Sequence, residues 1–346
     1  MEQYLKKQYR GRKKQSEKKV CLPALIQSKV ARGAARDFYL MGTRTAAGTK
    51  QKFVCNFSAI PEKSTVVIVN GQLPGPVLCL TAAIHGNELN GVEIVRQLLA
   101  GLDPLTLRGI VIGVPIVNLE GYNLGGRYMG DHCDLNRCFP GAPDGSEAER
   151  FAHKLFQEII LCSDVLIDLH TGSALRENHP QLRADLSNSR VAALSHGFGT
   201  FPVVQSIAPS GSLRGAATLA GVPCLVMEVG SSRGLEPDKI LIGLQGLKDL
   251  MQAAGMTKAD HFVSDVYQVY LGSGWVHAAV NGILTNRVEL GQIVKSGEHL
   301  AEILDPLTNQ IHMVAAPFAC VILSRAHNQH VAVGFRLFRI GIRSIS

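Results

Sequence analysis

Between about residues 64 and 255 the chain alternates short, almost wholly apolar runs with stretches whose apolar residues recur every three or four positions. The apolar runs are STVVIVN (64–70), VLCLTAAI (77–84), GIVIGVPIVN (109–118), VLIDLH (165–170), TFPVVQ (200–205) and VPCLVMEVG (222–230). Unbroken apolarity over so few residues fits strands buried on both faces. The spaced stretches predict helices over 88–100, 146–162, 188–198, 212–220 and 237–255. In the first of these, Leu89, Val92, Val95, Leu98 and Leu99 follow helical spacing. The alternation predicts an α/β fold, with a mixed, mostly parallel sheet and helices on both faces. Such sheets bind ligands beyond the carboxyl ends of their strands. His85, Asn118, His170 and Glu228 fall at those ends, from four separate strands.

After about residue 258 the pattern changes to short apolar runs between Gly and Asn turns, with no helical spacing. Residues 278–303 repeat in 315–340, so that Val294 aligns with Val331, Gly297 with Gly334, Leu300 with Leu337 and Ile303 with Ile340. Two facing copies of one β unit predict a small all-β barrel-sandwich. The unit resembles the hammerhead fold of biotinyl and lipoyl carriers. Those carriers present a lysine at the turn between halves. Here that turn, LDPLTNQIH (304–312), has none, so no attached cofactor is expected. The organisation expected is a basic, disordered tail and lead-in (1–45), a catalytic domain (46–258) and the β domain (259–346).

Composition adds limits. The chain has 346 residues, 46% hydrophobic and 18% charged, as a soluble globular protein does. Its net charge of +7 is misleading, because residues 1–20 hold eight Lys/Arg and two Glu, a net of +6. That leaves +1 for the rest, which argues against a nucleic-acid surface on the globular body. No apolar run is long enough to span a bilayer, and no secretory signal is evident. Eight cysteines without a CxxC pair do not read as a disulfide set; Cys79, Cys162 and Cys224, in or beside apolar runs, are expected to be small buried residues, and Cys133 and Cys138, which flank DLNR, to serve packing rather than as ligands or redox-sensitive thiols. A cytoplasmic protein is expected, and homo-oligomerisation stays open.

The chemistry concentrates in a few segments. In AAIHGNELNG (82–91), His85 and Glu88 are three residues apart where a strand gives way to a helix, so both can face one small object. Two His and one carboxylate, with a position left for water, make a catalytic zinc site. DVLIDLHTGS (164–173) offers His170 from another strand end, with Asp168 on the same strand face to orient it. Glu228, emerging from a buried strand, is the candidate proton carrier. The loop GGRYMGDHCDLNRCFPG (125–141) supplies Arg127 to polarise a carbonyl, and Asn136 with Arg137 as donors for a carboxylate. GSSRG (230–234) matches a serine-hydrolase pattern, but Gly234 and Pro237 spoil the helix start that a nucleophile elbow needs.

Taken together, HGNE, RYMGDHCDLNRCFPG, DLHT and MEVG closely resemble the succinylglutamate desuccinylase/aspartoacylase family of zinc carboxypeptidase-like enzymes. The motifs occur in the family's order. The resemblance implies a zinc carboxypeptidase-like catalytic fold, one zinc ion on His85, Glu88 and His170, and Glu228 as general base and acid. It implies that Arg127 polarises the scissile carbonyl, that Asn136 and Arg137 hold the substrate carboxylate, and that Arg214 also contacts substrate. The activity it implies is hydrolysis of the amide of a small N-acyl amino acid. A metallocarboxypeptidase acting on peptides is the alternative, followed by a serine hydrolase or a non-catalytic binding protein.

Overall fold

The computed structural model describes residue 22 and residues 36–57, 63–259 and 268–343. The basic stretch at 1–20 lies outside the described residues. Within the lead-in, β1 (Phe38–Leu40) and β2 (Thr43–Thr45) form a hairpin. It is tied down by Asn70, whose side-chain amide donates to the carbonyls of Arg36 and Thr45.

The strands that follow are β3 (Thr49–Cys55), β4 (Ser64–Asn70), β5 (Leu73–Ala82), β6 (Arg108–Val114), β7 (Val165–His170), β8 (Arg176–Ala184), β9 (Val203–Gln205) and β10 (Cys224–Gly230). The helices are α1 (Leu89–Gly101), α2 (Leu119–Asn123), α3 (Glu147–Glu158), α4 (Ser189–His196), α5 (Leu213–Leu219) and α6 (Pro237–Ala253). Strand positions alternate between two cores. Leu78, Leu80, Ile167, Leu169 and Met227 meet α1, α4 and α6 through Ile94, Val191 and Ile240. Val77, Cys79, Leu166 and Cys224 meet α3 and α5 through Phe151, Leu155 and Leu213. Helices therefore cover both faces. Local signals start and stop them: Ser146 and Glu149 close a capping box on α3, and Lys50 donates to the last carbonyls of α1, Leu99 and Ala100.

The C-terminal strands are β11 (Val269–His277), β12 (Gly282–Asn286), β13 (Ile293–Val294), β14 (His299–Leu304), β15 (Ile311–Ala315), β16 (Cys320–Ala326), β17 (His330–Val331) and β18 (Arg336–Arg343). The repeat is visible in them. Val294 and Val331, Leu300 and Leu337, and Ile303 and Ile340 are buried in one shared core. Gly297 and Gly334 both take positive φ at corresponding turns (79° and 82°), which favours glycine. Each turn is fixed across the pair, with Gly297 donating to Ala316 and Gly334 donating to Ala278, both at 2.8 Å.

The main sheet runs β13-β16-β18-β11-β9-β8-β10-β7-β5-β6-β4-β3. Pairing is parallel through β10-β7-β5-β6 and through β8-β9-β11, and antiparallel elsewhere. The mostly parallel sheet expected from sequence is thus two parallel blocks joined by the antiparallel β8–β10 pair, with antiparallel strands at both edges. The link from β7 to β8 shows why: five residues cannot carry the dozen-residue crossover that a parallel return needs. One further pairing, β16 with β8, closes β8-β9-β11-β18-β16 into a ring around Val204, Tyr270, Val321 and Leu323. β11, β13, β16 and β18 are thus hydrogen-bonded into the sheet that carries the candidate site, while β15-β14-β12-β17 form a separate four-stranded sheet.

Candidate active site

The register of the central strands sets the site. Thr81, Asp168 and Val226 are neighbours across β5, β7 and β10, and two residues further on His170 is the partner of Glu228. Adjacent strands lie about 4.8 Å apart, so His170 and Glu228 rise side by side. His85 arrives from β5 by a tight turn. Ala83 sits in the left-handed region at φ 49°, a strained choice for a residue with a Cβ. Gly86 packs so closely on α2 that a Cβ there would lie 2.0 Å from Gly121. The glycine of HGNE is needed for this approach. Glu88 occupies the N-cap position of α1 without making a cap bond, which leaves its carboxylate for the site.

Both oxygens of Glu88 are used. His85 Nδ1 lies 2.8 Å from Oε1 and His170 Nδ1 lies 2.9 Å from Oε2, while the Thr171 backbone amide donates to Oε2. The outer ring nitrogens face other carboxylates: His85 Nε2 lies 3.2 Å from Asp134, and His170 Nε2 lies 2.8 Å from Asp168. Thr81 donates to Asp168 and holds it in turn. All of these groups except Asp134 are buried. Burial disfavours charge on Glu88, but His85 and His170 outweigh it and hold the carboxyl well below the usual range. Burial also opposes charge on His170, where Asp168 and Glu88 prevail and raise the imidazole well above its ordinary value. His85 is raised against burial by Glu88 and Asp134, and Asp134 is lowered against burial by His85 and Arg127.

One ligand atom from each of His85, Glu88 and His170 lies within 4.8 Å of the others. Two Nδ1 atoms converging on an ionised carboxylate, each ring steered from behind by another acid, suit a divalent ion with nitrogen and oxygen ligands. The residues present fit zinc.

Around this cluster lies a cavity of about 370 Å³. Glu228 lines it, held by Asn178 Nδ2 at 2.7 Å and by the charge of Arg183 at 3.0 Å. The Arg183 contact is an ion pair without hydrogen-bond alignment. Arg127 Nη2 donates to Asp134 at 2.9 Å, and its Nη1 lies 3.6 Å from Glu88. Asn136 reaches within 3.5 Å of His170 Nε2, while its oxygen accepts from the Leu213 amide at the start of α5. Arg137 is exposed at the rim, and Arg214 is buried and bound to the carbonyls of Ser206 and Ile207. All eight residues singled out from sequence line this one cavity.

Two other features of the sequence lie off the cavity. Asn118 is turned to α2, whose Gly121 amide it accepts from, so it serves as a helix cap. GSSRG is a loop pinned by Glu236, which accepts from the Ser231 amide, and α6 begins only at Pro237. No serine of that loop lines the cavity. Sequence reasoning missed Asp134, Asn178, Arg183, Trp275, Arg336 and Arg339. Only Asp134 lay within a motif already in view.

The catalytic-domain model of the succinylglutamate desuccinylase/aspartoacylase family matches residues 74–254. The chain belongs to that family. An N-alpha-acetyl-L-2,4-diaminobutyric acid deacetylase of Halomonas elongata is 27% identical over 255 residues, covering 69% of this chain and 73% of the relative. A succinylglutamate desuccinylase of Photorhabdus laumondii is 38% identical over 117 residues, 30% of this chain and 34% of the relative. Among solved structures, a succinylglutamate desuccinylase from Silicibacter sp. TM1040 gives a TM-score of 0.73 at 22% identity, covering 85% of this chain and 93% of that one. A product-bound ectoine utilization protein from Ruegeria pomeroyi gives 0.72 at 23% identity, covering 81% and 89%. At these identities the structural likeness establishes the family's fold. No helix among the described residues is long and apolar enough to cross a membrane.

Proposed function

We propose that the protein is a zinc-dependent hydrolase that cleaves the amide bond of a small N-acyl amino acid. The observation that supports it most is the convergence of His85 and His170 on Glu88, with Glu228 as the strand neighbour of His170 on the same cavity. His85, Glu88 and His170 hold the ion, which when bound supplies Lewis acidity toward a carbonyl and toward water. Asp134 and Asp168 orient the imidazoles. Glu228 takes a proton from the attacking water as its oxygen bonds to the amide carbon. Arg127 stabilises the charge that develops on the carbonyl oxygen. When the C–N bond breaks, Glu228 returns the proton to the leaving nitrogen, giving a carboxylate and a free amine. Asn136, Arg137 and Arg214 hold the substrate carboxylate and so fix the amide in place.

The two relatives are named for deacetylation and desuccinylation of amino acids, which supports a deacylase for this chain. The barrel-sandwich reading of the C-terminal strands belongs to the same proposal. These strands put Trp275, Ser324, Arg336 and Arg339 on the cavity wall, which favours a small substrate over a peptide. The cytoplasm is its proposed location. The test is a screen of zinc-loaded protein against N-acyl amino acids and short peptides, with and without a chelator. Turnover of acyl amino acids that stops with chelator and returns with zinc is expected. Turnover of peptides alone, or turnover untouched by chelator, contradicts the reading.

A further inference from the structure

The cavity wall shared by β8 and the C-terminal strands has a charge problem. Seven arginines line the cavity against two glutamates, Glu88 and Glu228. Arg127 and Arg183 are matched by Asp134 and Glu228. Among the described residues no carboxylate bonds Arg176, Arg336 or Arg339. Instead all three surround one indole: their guanidinium carbons lie 5.4, 5.5 and 5.9 Å from the Trp275 ring centroid. An aromatic face attracts a cation, but three cations around one ring also repel each other. Burial, reinforced by Arg183, Arg214 and Arg336, pulls Arg339 below its ordinary pKa.

The cluster is built rather than incidental. Trp275, Arg339, Ser324 and Asn178 are successive register partners across β11, β18, β16 and β8. Ser273 accepts from Arg339 Nε at 2.8 Å and fixes the guanidinium. Asn178, at the other end of this row, is the residue that holds Glu228. One row of sheet positions therefore links the arginine wall to the candidate catalytic acid.

We propose that Arg176, Arg336 and Arg339, gathered around Trp275, form a second anion subsite, so that the substrate carries an anionic group, carboxylate or phosphate, beyond the carboxylate held by Asn136 and Arg137. This deepens the deacylase reading and rests on it for the word substrate. A planar guanidinium fork suits either oxyanion. A substrate that brings a free amine to this wall is rejected, because it adds a cation to an unmatched set.

The sequence holds one tryptophan, so intrinsic fluorescence reports this wall alone. Purified protein is titrated with succinate, inorganic phosphate and acetate while Trp275 emission is followed. A saturable change with succinate or phosphate, weakened at least tenfold by Arg336→Ala and by added salt, is expected, and the stronger arm identifies the oxyanion. Acetate alone should do little. Arg336 is exposed, and Arg176→Ala is the second variant should one fail to fold. In turnover, the preference in kcat/KM for N-succinylglutamate over N-acetylalanine should collapse at least tenfold in Arg336→Ala, through KM. Absence of saturable binding by either dianion, or a preference that Arg336→Ala leaves intact, overturns the subsite even where turnover stands. Anion binding without turnover of any acyl amino acid supports the subsite and removes the deacylase reading instead.

Discussion

At the carboxyl ends of β5, β7 and β10, every charged group has an opposite within reach: Arg127 meets Asp134 at 2.9 Å, and Glu88 meets both imidazoles. Across the cavity, Arg176, Arg336 and Arg339 have a tryptophan ring and one another. The first wall is internally satisfied and rigid, as a group of atoms that must act in fixed geometry should be. The second is left with unspent positive charge, as a wall that recognises something brought in from solution should be. The walls also come from different parts of the chain. Strand ends of the α/β region carry the chemistry, and the second wall is built by β11, β16 and β18 with Arg176 at the start of β8. Substitutions should separate accordingly, with the first wall acting on kcat and metal, and the second on KM.

The largest separation is expected at Glu228. Glu228→Gln keeps the shape and the Asn178 contact but removes the proton carrier, and kcat should fall about 100- to 10,000-fold with zinc still bound. Steady-state kinetics with parallel metal analysis check this. Arg127→Ala should lower kcat about 100- to 1,000-fold, the usual cost of a lost oxyanion donor, with little change in KM. If KM rises instead while kcat holds, Arg127 belongs to recognition and the division between walls fails. Asp168→Asn leaves His170 without its orienting charge, and zinc affinity should drop about 10- to 100-fold in a competition titration with a chromophoric chelator. The smallest effect is expected across the cavity. Trp275→Phe weakens the cation–ring contacts by about 0.5–1 kcal/mol each and should raise KM only several-fold.

Legibility in the sequence follows the same division. β7 was readable to the residue, because VLIDLH is a short run, apolar up to Asp168 and buried throughout. His85 and Glu88 were readable because their relation is local, three positions at the start of a helix. β8 was not. Its RENHPQLRA carries buried Asn178 and Gln181, whose side-chain amide nitrogens donate to Glu228 and to the Leu323 carbonyl on other strands. Partners that make such residues tolerable inside are 50 and 142 positions away, and hydropathy cannot see them. Trp275, Arg336 and Arg339 were invisible for a related reason. They reach the cavity through the long-range pairings of β11 with β9 and of β16 with β8, and nothing near them in sequence announces these. Asn118 shows the converse error. Read as the end of a strand, it lies beyond β6, which stops at Val114, and its side-chain oxygen caps α2.

The most direct test of the account is the metal content of the purified protein, measured by elemental analysis after equilibration with limiting zinc. The wild-type chain should retain close to one zinc ion per molecule, and His170→Ala, folded by circular dichroism, should retain almost none and lose hydrolysis with it. A folded His170→Ala chain that keeps both its zinc and its turnover would contradict the site described here.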